Sequence, residues 1–143
     1  MPSAAAPEIA GISARLFLRD TGTLSPDLLR TPDLIGNTLT MGDSALVVIT
    51  ITDRGIDGGS SSNRVRLIAI EEAPTFAVGG ARQAPQRVLN RTARVPPLRN
   101  GESIYVGFWV DHIGCAPLRL IASFDGGAPG ASRQEVIGFQ CYE

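Results

Sequence analysis

A chain of 143 residues has the commonest size for one domain and buries roughly two-thirds of its unfolded surface, so it folds without needing metals or disulfides. The 43% hydrophobic and 19% charged fractions exclude wholesale disorder, and a formal net charge of -1 supplies no field to gather phosphate backbones or an anionic membrane. Nucleic acid is therefore not an expected partner. All thirteen basic residues are arginine, a bias that a GC-rich coding sequence accounts for.

The opening Met1-Pro2-Ser3-Ala4-Ala5-Ala6-Pro7 is a tail of small residues whose conformation no core dictates. Residues 1–10 are expected to be flexible or ordered by a partner, with one domain over 11–143. The first eleven residues lack the basic start and apolar centre of a secretory signal, and no apolar run reaches the roughly 18 residues of a membrane span. The expectation is a cytoplasmic or virion protein if Met1 is the native start, and an exported one if a signal has been removed.

Ile12 to Arg19 alternates Ile12, Ala14, Leu16 and Leu18 with polar neighbours and predicts a strand. Ser25 to Ile35 has room for one helical turn, but Pro26 and Pro32 exclude a long helix. After the turn Met41-Gly42-Asp43-Ser44, Ala45 to Thr52 gives the strongest strand signal, with Ala45, Val47, Ile49 and Ile51 on one face. Asp53 to Asn63, with Gly55, Gly58, Gly59 and a serine run, reads as a loop. Arg64 to Glu71 predicts a strand with Val65, Leu67 and Ala69 inward and Arg64 and Arg66 outward.

Glu72 to Gln86 is irregular, and Arg87 to Val95 is a polar strand suited to a sheet edge. Beyond Pro96-Pro97 and the turn Arg99-Asn100-Gly101-Glu102, Ser103 to Val110 presents Ile104, Val106, Phe108 and Val110 to the core and Tyr105 and Trp109 to the opposite side. Leu118 to Asp125 puts Leu118, Leu120, Ala122 and Phe124 inward and forms a hairpin with Gln134 to Cys141. About seven strands without a convincing amphipathic helix predict an all-β, immunoglobulin-like two-sheet antiparallel sandwich.

One corner carries chemistry. If the last hairpin turns about Ala128, paired residue numbers add to about 256, which sets Cys115 opposite Cys141, the only two cysteines. A disulfide, or a pair of inert thiols in a reducing compartment, is the leading expectation. The only histidine, His112, lies three residues before Cys115, so His112, Cys115, Cys141 and Asp111 also form a partial zinc-ligand set. A Cys–His catalytic pair is the third reading, and nothing nearby in sequence would lower the thiol pKa. Asp53, Asp57 and Asp111 lie in expected loops at one end of the sandwich but lack calcium-loop spacing. No cofactor is expected apart from that zinc.

Tyr105 and Trp109 share the face turned away from the core, where large aromatics mark an interface unless Glu72 to Gln86 covers them. Arg64 and Arg66 are their expected polar neighbours. Gly42-Asp43-Ser44 before a β-branched strand, Pro97-Leu98-Arg99-Asn100-Gly101-Glu102-Ser103 before an aromatic one, and Leu118 to Asp125 after it resemble the immunoglobulin-like, adhesion-type modules of bacterial cell-surface proteins. The ending Ile137-Gly138-Phe139-Gln140-Cys141-Tyr142-Glu143 departs from that pattern. The resemblance implies a sandwich fold and does not fix a role. Together these readings point to a non-enzymatic structural or protein-binding subunit that binds a protein partner or itself. The alternatives are a coat, decoration or filament protein of a phage-like or extracellular assembly, and a metal or thiol site at the cysteine corner.

Overall fold

A computed structural model of the chain describes residues 7–18, 21–30, 43–53, 63–72, 85–96, 101–113, 117–125 and 132–138. Among them lie eight strands: β1 Pro7–Leu18, β2 Thr23–Leu24, β3 Asp43–Asp53, β4 Asn63–Glu71, β5 Gln86–Val95, β6 Ser103–Ile113, β7 Leu118–Asp125 and β8 Ser132–Ile137. They form two antiparallel four-stranded sheets, ordered β2-β1-β3-β6 and β5-β4-β7-β8. The chain crosses between sheets after β3, β5 and β6 and returns by hairpin links between β4 and β5 and between β7 and β8. This is the immunoglobulin-like sandwich that the alternation of apolar residues predicts.

The core is the set of positions that alternation marks as inward. Val47, Ile49 and Ile51 of β3 meet Val65 and Leu67 of β4 and Leu120 of β7 in one cluster, all without exposed surface. Phe124 is only half-buried at its margin.

Two features differ from expectation. β1 begins at Pro7 and pairs Pro7, Glu8 and Ile9 with Asp53, Thr52 and Ile51, so residues 7–10 belong to the sheet and not to the tail. Residues 31–35 of the span expected to hold a helical turn lie outside the described residues; within 25–30 the Arg30 amide donates to the Asp27 carbonyl at 3.2 Å, and Ser25 and Asp27 bind the free edge of β1. The Ser25 hydroxyl and the Asp27 carboxylate accept the Leu16 and Ala14 amides at 2.9 and 3.0 Å, and Asp27 also accepts from the Leu29 amide at 3.2 Å. The amides of Ser25 and Leu28 donate to the Leu16 and Ala14 carbonyls, both at 2.8 Å. Side chains here do the work of a strand.

Asp27→Ala strands a buried amide and is expected to cost about 2 kcal/mol, whereas Asp27→Asn, which keeps an acceptor oxygen, loses less than half of that. Urea unfolding of the two variants checks the difference.

The second difference is register. β7 and β8 pair Leu118 with Ile137 and Ala122 with Arg133, so paired numbers add to 255 and not 256. Over the described residues that is one residue from the expected pairing. Both cysteines lie outside the described residues.

Candidate functional site

The outer face of the first sheet is built in rows across its strands. One row sets Arg15 beside Leu46 and Trp109, the next Ser13 beside Val48 and Gly107, and the next Gly11 beside Thr50 and Tyr105. Phe17 and Leu24 pair at the β1–β2 end. These positions face outward because Ala45, Val47, Ile49 and Ile51, their alternates on β3, are wholly buried.

Tyr105 is 72% exposed and Trp109 48%, with Leu24 at 44% and Phe17 at 36%. The Phe17 and Trp109 rings meet edge to face, centroids 6.3 Å apart at 89°, an arrangement that aromatic quadrupoles favour. Leu46 leans toward Gly107: a Cβ at that glycine would lie 3.4 Å from Leu46 Cδ1. The result is an apolar band of Leu24, Phe17, Trp109 and Leu46, with Tyr105 two rows further on beyond Val48 and Gly107. At its Phe17–Trp109 end the Ser44 hydroxyl donates to Asp111 at 2.8 Å.

Arg64 and Arg66 do not neighbour this band. They lie on β4, in the other sheet, where Arg64 is opposite Arg94, Arg66 opposite Thr92, and Val65 between them is buried. Their outward face is therefore the far side of the sandwich, one core thickness of about 10 Å or more from Tyr105 and Trp109. The sequence could not separate the two because both patterns read simply as outward.

That far face has its own character. Arg64, Arg94 and Arg87 are exposed, and Arg66 and Arg119 half-buried, with Arg119 paired to Glu72. Arg64 and Arg94 are directly opposed like charges. Arg94→Glu is expected to raise stability by about 0.5 kcal/mol, seen as a higher urea midpoint with an unchanged m value.

The chemical corner is only partly described. Asp111 is exposed and bound to Ser44; of His112 only the backbone, in β6, is described. Cys115 and Cys141 lie outside the described residues, as do Asp57, Gly55, Gly58, Gly59 and residues 73–84 of the segment proposed to cover the aromatics. Among the described residues no group of three or more His, Cys, Asp or Glu could hold a metal ion. Asp53 and Asp111 do not share an end of the sandwich. Asp53 closes β3 opposite Pro7, while Asp111 sits by Ser44 at the other end of that eleven-residue strand. A shared calcium site between them is excluded by roughly 30 Å of strand.

No protein-family model matches the chain, and no curated protein sequence matches it. Among the described residues no helix is long and apolar enough to cross a membrane.

Proposed function

We propose that this protein is a non-enzymatic structural or protein-binding β-sandwich subunit whose binding surface is the outer face of the first sheet. The observation that carries this reading is the apolar band, in which two large aromatics, Tyr105 and Trp109, stand half to three-quarters exposed on one face of a sheet. Such groups gain most when a partner removes them from water, and they lose little side-chain entropy in the process. The resemblance to adhesion-type modules agrees with a binding role.

Size-exclusion chromatography of the tagged chain in extract of its native source tests this. The wild-type chain is expected to elute in a complex and Trp109→Glu as a free chain; co-elution of the variant with the same complex overturns the choice of surface.

A coat, decoration or filament subunit is the second reading, favoured by two unlike outer faces, one apolar and one rich in arginine, which suit repeated head-to-tail contacts. Removal of residues 1–6, which stops short of β1, then impairs assembly; unaffected particles contradict it.

A further inference from the structure

The two sheets end in four strands, and three of those ends are closed to pairing. β5 carries Arg87, Arg91 and Arg94 along its length. β8 is six residues long with Arg133 and Glu135 on it, and Arg133 reaches the Ala10 carbonyl of β1 at 2.8 Å. β2 is two residues long, and Ser25 and Asp27 occupy the β1 backbone beyond it. Charges, short length and local caps are the ordinary means of keeping a sheet edge from adding strands.

β6 lacks these protections over most of its length, its charged residue Asp111 lying near the end. It runs for eleven residues, Ser103–Ile113, with neither a charge nor a proline from Ser103 to Val110. It ends its sheet, and among the described residues no strand lies beyond it. We infer that its occupant is β6 of a second copy of this chain, so that two four-stranded sheets join antiparallel into one of eight strands about a two-fold axis at Gly107. The inference rests on the reading of the Tyr105–Trp109 face as an interface and names the partner and its geometry.

The strand is complementary to itself in that register. About Gly107, Tyr105 falls opposite Trp109, Val106 opposite Phe108 and Ile104 opposite Val110, so apolar positions meet apolar ones on both faces. Ser103 falls opposite Asp111, and the position of Glu102 opposite that of His112, so no two like charges face each other. The same operation applied to β5 would bring arginines of one copy beside arginines of the other. On the outer face the pairing makes one band of four aromatics from the two copies. A symmetric contact of this kind closes on itself and stops at the dimer.

The test is sedimentation equilibrium on the full chain from micromolar to several hundred micromolar, with three variants whose folding is checked by circular dichroism and thermal unfolding. Gly107→Lys sets two ammonium groups at the axis, and only the end of the Leu46 side chain need yield to it. Val136→Lys, at an exposed position on the β8 edge, is the control. Wild type and Val136→Lys are expected to dimerise alike. Gly107→Lys should weaken the dimer by about 5-fold, since it sets two like charges directly opposite each other at the axis of an edge pairing. Isotope-filtered NOEs between Trp109 of one copy and Tyr105 of the other should appear in the wild-type dimer.

A wild-type chain that is monomeric throughout overturns the inference, as does a dimer that Val136→Lys disrupts. A dimer abolished by Trp109→Glu but as tight in Gly107→Lys as in wild type overturns the edge geometry and leaves the aromatic face standing. One that neither variant weakens overturns the two together.

Discussion

Ile49→Ala is expected to destabilise the domain by about 3 kcal/mol, within the range for truncating a buried branched side chain without relaxation of its surroundings. Ile49 is wholly buried in the middle of β3, flanked across the sheet by Ile12 of β1 and Val106 of β6. A loss of that size is a large part of the stability of an ordinary domain and lowers the melting temperature by about 10 °C. The neighbouring residue supplies the contrast. Val48 points to the outer face, half-buried beside Ser13 and Gly107, and Val48→Ala should cost about 0.5–1 kcal/mol. Urea unfolding of both variants reads the inward and outward faces of one strand directly; equal losses would contradict the assigned faces.

Trp109→Glu carries the largest expected effect on binding. The indole is about half exposed and packs edge to face on Phe17, so the folded chain by itself loses only that contact, about 1 kcal/mol. In a complex the carboxylate would be buried in an apolar band without a partner, and removal of one well-packed aromatic anchor at an interface costs 2 kcal/mol or more. At least a 30-fold loss of affinity follows, with thermal stability nearly unchanged. Titration of the purified chain against its isolated partner, or against itself, measures it. A loss of binding that merely tracks a loss of stability would speak for misfolding and against an interface.

Much of the fold could be read from the chain because period-two alternation is a direct consequence of strand geometry. Val47, Ile49 and Ile51, or Leu118, Leu120 and Ala122, leave little choice of inward face once one side must be dry. The same alternation identified Tyr105 and Trp109 as outward. It could not say to which of two sheets an outward residue belongs, and so Arg64 and Arg66 were expected beside the aromatics when they lie across the core from them.

The β1 edge was illegible for a different reason. Ser25 and Asp27 mimic a strand with side-chain oxygens, and that arrangement has no periodic signature; their only trace in sequence is an Asx-type turn after Pro26. The start of β1 at Pro7 escaped notice because Ala10 and Gly11 interrupt the alternation where a bulge shifts the register between Ile9 and Gly11. The hairpin register failed by a single residue, within the latitude of a glycine-rich turn. Cys115 and Cys141 lie beyond the described part of that hairpin, so its register does not decide their pairing.

Hydroxyl-radical footprinting tests the central claim most directly, with oxidation at Tyr105 and Trp109 read by mass spectrometry on the dilute purified chain and on the chain in its native extract. The account predicts that both residues oxidise several-fold more slowly in the extract while exposed Val88 on β5 does not change. Equal oxidation of Tyr105 and Trp109 in the two samples would contradict it.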